Sequence, residues 1–195
     1  MTDGAGTQAS ADADEALLRL YGSGDPGAAR DLTARLAPLA YRVALRMLGD
    51  RAEAEDVAQE AMLLLWRAAP GWQEGGAKVS TWLYRVASNL ATDRLRRRRT
   101  SPLDEAPEIA DGQPGALATM VAADRAAALN AALMGLPDRQ RQAVVLRHLE
   151  GLSNPEIAEI MDVGVEAVES LTARGRRALT AALQGRREEL GFEEG

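Results

Sequence analysis

The twenty residues from Ser80 to Arg99, STWLYRVASNLATDRLRRRR, admit few structures. Leu83, Val86, Ala87, Leu90 and Leu95 recur at three- and four-residue spacing, which predicts a helix with one buried face and Ser80 as its N-cap. Arg85, Asn89, Asp93 and Arg96 share the same periodicity on the opposite side, giving a solvent-facing stripe of groups suited to base edges and phosphates. A chain built around such a helix needs other helices to cover its apolar side.

The charge distribution sets this stretch apart. The net charge is −6, which by itself disfavours a nucleic-acid partner. Residues 1–29, however, carry one base and five acids, 30–100 carry thirteen bases and eight acids, 101–128 one and five, and 129–195 eight and eleven. The basic block contains the helix and has acidic flanks. With no cysteine and a single histidine, His148, disulfides, thiolate chemistry and a Cys/His zinc site are excluded, and no cofactor is expected. The longest apolar runs, such as MLLLW at 62–66, are too short to span a bilayer, and the N-terminus has neither a basic start nor an apolar core. A cytoplasmic protein without membrane insertion is expected.

Taken in order, residues 1–13 are small, acidic and expected to be disordered, and a short helix is predicted over Asp14–Tyr21. Asp25-Pro26 caps the next helix, which runs to Leu48 and which Pro38 is expected to kink or divide. Gly49 closes it, and Asp50 with Glu53 opens a helix from Arg51 to Ala68. After the loop 70–79 and the basic helix, residues 100–123 bring three prolines and several acids, the composition of a flexible linker. A second helical unit is predicted over 124–183: a helix to Leu136, another from Pro137-Asp138 to about Glu150, a short one opened by Ser153-Asn154-Pro155-Glu156, the turn Asp162-Val163-Gly164, and a last helix from Val165 to about Leu183. The short and long helices about that turn form a helix-turn-helix pattern. Residues 184–195 are a charged tail. The expected fold is therefore all-α, with two small helical domains joined by a flexible linker and a helix-turn-helix in the second.

Each candidate site has a plain structural alternative. The outward face Glu53, Asp56, Gln59 and Glu60 is either solvated or a partner surface. The arginines 96–99 complement a helix dipole or meet an anion. Trp66, Trp72, Trp82 and Tyr84 pack in a core or support unstacked bases. Catalysis is disfavoured: His148 has no Ser or Cys elbow near it, and the acids at 53, 56 and 60 lack the histidine of an E-x-x-H metal site.

AEDVAQEAMLLLWRA (54–68), then STWLYRVASNLATDRLRRRR (80–99), a linker, and LPDRQRQAVVLRHLEGLSNPEIAEIMDV (136–163) resemble an extracytoplasmic-function (ECF) sigma factor of the sigma-70 family over about residues 14–183. The resemblance implies that 14–99 bind core RNA polymerase and the minus-ten promoter element, that 124–183 bind the minus-thirty-five element, and that the chain is no enzyme. It implies polymerase contacts from Glu53, Asp56, Gln59 and Glu60. For minus-ten DNA it implies Trp72, Lys78, Trp82, Arg85, Asn89, Asp93, Arg96 and Arg97, with the loop 72–79 holding a flipped base. For the upstream element it implies Ser153, Glu166, Glu169, Ser170, Arg174 and Arg177. An anti-sigma factor is the implied regulator, and no small-molecule substrate is implied. Two departures stand out: Glu169 and Leu171 occupy positions where the family commonly has lysine and arginine, and Ala77-Lys78-Val79 lies where a phenylalanine is common. The rival from the residues alone is a helix-turn-helix regulator that binds duplex DNA unaided.

Overall fold

The computed structural model describes residues 3–73, 75–100 and 117–184. Its elements are α1 (Asp3–Gly22), α2 (Pro26–Leu48), α3 (Arg51–Ala68), a 3-10 turn (Ala69–Gly71), α4 (Val79–Thr100), α5 (Leu117–Met134), α6 (Asp138–Val144), a π-helical turn (Val145–Leu149), α7 (Asn154–Met161) and α8 (Val165–Gln184). Among the described residues there is no strand and no helix long and apolar enough to cross a membrane.

The helix boundaries follow local chemistry. Asp25 accepts from the amides of Gly27 and Ala28 at the start of α2, with Pro26 in the first turn. Gly49 ends that helix at φ 70°, a left-handed conformation that glycine adopts without penalty. Asp50 then accepts from the Glu53 amide to open α3. At α7 the Ser153 side chain and Glu156 complete a reciprocal capping box, and Asp162, at φ 51°, ends the helix.

Several boundaries differ from expectation. α1 begins at Asp3, where a disordered segment was expected; four alanines between residues 5 and 13 give it strong helix propensity. α4 starts at Val79, which is 1% exposed, so Ser80 is inside the first turn and not its N-cap. Pro38 does not divide α2. It removes one amide, but Leu36, Ala40 and Val43 are buried on both sides of it, and packing holds the helix through the gap. α5 begins at Leu117, within the segment expected to be linker. The remainder of that linker, 101–116, and the tail 185–195 lie outside the described residues.

Helices α1–α4 pack around Leu18, Leu32, Val43, Met47, Val57, Leu65, Leu83 and Ala87, all fully buried. Each such leucine contributes about 1.5–3 kcal/mol through burial. Alanines 40, 44, 54, 61 and 91, also at 0% exposure, let the helix axes approach closely. In α5–α8, Leu133, Leu136, Val144 and Val145 form a small core of their own. Leu146, Ile157, Ile160 and Val168 instead join the same hydrophobic cluster as the first half. The two halves are thus packed together: α2 meets α5, α6 and the π-helical turn, and α4 meets α7. Within the second half, α8 crosses α6 at Gly175, where a Cβ would lie 2.5 Å from Val144 Cγ2.

Candidate nucleic-acid interface

α4 divides its charges between two faces. Arg85, Asn89, Arg96 and Arg97 are exposed, and Asp93 pairs with Arg96 at 3.0 Å. At 100° per residue, Arg85, Asn89, Asp93 and Arg96 fall within one narrow stripe, as the sequence spacing predicted. Arg94 and Arg98 point to the opposite side of α4, onto α3. Arg94 lies 3.6 Å from Asp56 and 3.4 Å from Glu60, and it donates to the Glu53 carbonyl at 3.1 Å. Arg98 pairs with Glu53 at 2.7 Å and Asp50 at 3.6 Å. The arginine run is therefore part structural clamp and part exposed surface.

The same clamp sorts the acids of α3. Asp56 and Glu60 remain exposed beside Gln59, with side-chain exposures of 67% and 50%. Glu53 is turned inward to Arg98, and its second oxygen, Oε2, is buried without a partner. Asp56, Gln59 and Glu60 thus form an exposed line beside Leu63, itself 55% exposed, while Glu53 belongs to the α3–α4 joint.

The loop between α3 and α4 is pinned at both ends. Trp72 is half-buried and meets Trp82 edge to face, with centroids 6.0 Å apart, and its indole N–H is buried without a partner. A cavity of about 320 Å³ opens beside Trp72, lined also by Glu15, Arg19, Ser23 and Pro70. The Gly75 amide donates to the Glu15 carboxylate at 3.2 Å. Lys78 is half-buried, 3.7 Å from Glu156 of the second half. Trp66 packs on Tyr21, centroids 4.5 Å apart, and Tyr84 is buried.

In the second half, Glu166, Glu169, Arg174 and Arg177 are exposed along α8. Arg174 donates to the Ser170 hydroxyl at 2.8 Å, and the Asn154 amide donates to Glu169 at 3.3 Å, tying the two helices of the turn together. The Ser153 hydroxyl, donating at 2.6 Å, holds the Glu156 carboxyl below its ordinary range; partial burial opposes this, and the Ser153 amide and Lys78 assist. His148 is exposed at the rim of an apolar cleft of about 240 Å³ between α5, the π-helical turn and α8. Burial there, with Arg147 and Arg176 nearby, keeps its imidazole toward the neutral form.

Sequence reasoning passed over the groups that join the halves. Arg141 is 3% exposed, and burial lowers its pKa. It donates to the carbonyls of Leu133, Met134 and Leu136 and, across the halves, to Met47 at 2.6 Å. Asp138 and Glu150 entered only as helix boundaries and Arg42 not at all, because their partners lie far away in the chain: Glu150 accepts from Arg42 at 3.2 Å and from the Tyr84 hydroxyl at 3.1 Å, and Asp138 accepts from Arg99 at 2.6 Å.

A basic exposed stripe on one helical unit and a helix-turn-helix on the other define a two-part, all-helical DNA-binding architecture. Residues 32–100 match sigma-70 region 2, and residues 126–179 match sigma-70, region 4. The chain is 32% identical over 173 residues to the ECF RNA polymerase sigma factor SigW of Bacillus subtilis, covering 83% of this chain and 91% of that protein. It is 34% identical over 182 residues to the RNA polymerase sigma-H factor of Pseudomonas aeruginosa, covering 88% and 94% respectively. Among solved structures, CnrH in complex with the cytosolic domain of CnrY superposes with a TM-score of 0.66 at 27% identity, covering 89% of this chain and 98% of that one. The chain belongs to the sigma-70 family, as an ECF sigma factor.

Proposed function

We propose that this chain binds core RNA polymerase, directs it to promoters with two recognition elements, and nucleates strand opening, without covalent chemistry of its own and in the cytoplasm. The observation that carries the reading is the two-faced α4: Arg94 and Arg98 fix it to α3, leaving Arg85, Asn89, Arg97 and the Asp93-paired Arg96 exposed toward DNA while Asp56, Gln59 and Glu60 stay exposed on the neighbouring helix. One rigid pair of helices then offers an acidic line to polymerase and a basic stripe to the minus-ten element.

Trp72, Lys78 and Trp82 are assigned to the loop that receives an unstacked base; expelling that base from the duplex costs a few kcal/mol, which polymerase contacts and the pocket must offset. Ser153, Glu166, Glu169, Ser170, Arg174 and Arg177 are assigned to the upstream element. Glu169 is an acceptor suited to a cytosine amino group and repels phosphate, so this half contributes base preference more than affinity. Regulation by an anti-sigma protein is part of the proposal, supported by the likeness to CnrH, whose solved structure holds the cytosolic domain of CnrY.

The test is run-off transcription with purified core polymerase together with pull-down of the core. Start-site-specific RNA is expected. A chain that shifts duplex DNA alone but neither binds core nor directs initiation is instead a free-standing helix-turn-helix regulator.

A further inference from the structure

α8 carries its charges in order along its length. Glu166, Glu169 and Ser170 occupy the first two turns, and Arg174 and Arg177 follow. Glu166 and Arg177 lie at the centre of the face opposite the buried Val168 and Gly175, with Glu169 on one flank and Arg174 on the other. In a helix-turn-helix the N-terminal residues of the second helix meet base edges. The end of α8 that enters a groove therefore presents carboxylates, and its guanidinium groups come later.

Glu169 is aimed. Its Oε1 accepts from the Asn154 side-chain amide of α7 at 3.3 Å, and among the described residues no cation pairs with it. Asn154 is fixed in turn, because it is the first residue of α7 and follows Ser153, whose side chain and Glu156 close the capping box. The neutrality of this partner matters. An arginine or lysine there would cancel the charge of Glu169 and compete for both oxygens, whereas an amide restrains one oxygen and leaves an anionic acceptor open.

An ionised carboxylate accepts and cannot donate. In the major groove guanine presents O6 and N7 and thymine O4, all acceptors, which repel it. Adenine offers an amino group with the N7 acceptor beside it, a pair that suits a side-chain amide; cytosine offers the amino group alone. We propose that Glu169, held by Asn154, reads a cytosine in the upstream element, with Asn154 as its positioning residue. The inference rests on the assignment of this half to promoter duplex. The rest of the face fits it: Arg174 donates to the Ser170 hydroxyl at 2.8 Å, which holds its guanidinium on the other flank, and Arg177 is exposed about one turn further on. These two supply the phosphate contacts that the acids cannot make.

The experiment selects duplexes randomised across the upstream element, once with polymerase holoenzyme and once with the full chain alone. The wild-type chain should favour cytosine at one position by about tenfold or more over guanine and thymine. Glu169→Gln should move the preference at that position to adenine, whose N6 and N7 match an amide, and leave the other positions unchanged. Asn154→Ala should keep cytosine first but lower its preference there by about threefold, without altering other positions or Tm, and should have no such effect once Glu169→Gln is present. An unchanged pattern in Glu169→Gln overturns the reader. A switch in Glu169→Gln with Asn154→Ala either silent or weakening every duplex alike overturns the positioning role. If core polymerase and the chain give no directed initiation, the transcription reading falls, and selection by the chain alone still decides whether Glu169 reads cytosine. A chain that selects no duplex in either form overturns both.

Discussion

The Arg141 guanidinium donates to the Met47 carbonyl at 2.6 Å, joining residues 94 positions apart inside the molecule. The same side chain satisfies buried and half-buried carbonyls at and just past the end of α5, from Leu133, Met134 and Leu136. Arg141→Met keeps much of the volume but strips these buried carbonyls of their guanidinium donor, and should cost about 3 kcal/mol or more. For a chain of this size that corresponds to a fall in Tm of roughly 6–12 °C, read by calorimetry. A Tm within about 2 °C of wild type would show that water replaces the guanidinium.

Gly175 makes a counter-intuitive prediction. Glycine to alanine in an open helix face stabilises by about 1 kcal/mol. At this position the new methyl would lie 2.5 Å from Val144 Cγ2 and 3.2 Å from the Gln140 carbonyl. Gly175→Ala should therefore destabilise by about 1–2 kcal/mol, because overpacking outweighs propensity. Adding Val144→Ala should recover part of the loss relative to the sum of the two single changes, measured by denaturant unfolding.

Glu156 gives a pH dependence of definite sign. Its folded-state pKa lies below its ordinary value of 4.5, chiefly because the Ser153 hydroxyl donates to it. The stabilisation is therefore fully present above that ordinary value and is lost as pH falls through the folded-state value. Ser153→Ala should raise the Glu156 pKa and flatten the fall of Tm with acid below the ordinary value of 4.5. Carboxyl titration followed by NMR provides the direct check.

On the α4 stripe, Asn89→Ala and Arg96→Ala should each cost about 1–3 kcal/mol at the minus-ten element if they read bases, with relaxed preference at one position. Binding by polymerase holoenzyme to a set of minus-ten variants distinguishes this from phosphate contact, which weakens every variant alike and reduces the salt slope. Arg94→Ala should behave differently: it loosens α3 from α4 and lowers Tm without a promoter-specific signature.

What the sequence made legible was mostly short-range chemistry. The Asp25-Pro26 start, the Gly49-Asp50 punctuation and the Ser153–Glu156 box all act within four residues, and all three are present as read. The exposed stripe of α4 was legible for the same reason. The division of the arginine run was also present in the helical period, since Arg94 and Arg98 fall opposite Arg85 and Asn89, but counting arginines concealed it. Of the two outcomes expected at Pro38, division of α2 does not occur, because the packing that carries the helix through it comes from distant helices. The sockets of Glu150 and Arg141 were invisible for a related reason: no local pattern records a partner 66 or 94 residues away.

The turn Val145–Leu149 sets a phase between these two anchors. Its amide bonds reach five and six residues back, from Glu150 to Val145 and from Leu152 to Leu146, so it holds more chain than an α-helical turn of the same height. One residue of α-helix corresponds to about 100° of rotation. Removing a single residue from the turn would let the backbone relax to the ordinary pitch and swing Glu150 away from Tyr84, with every side chain of both partners intact. The distance along the chain between Arg141 and Glu150 is therefore as much a part of the contact between the halves as the identity of either residue.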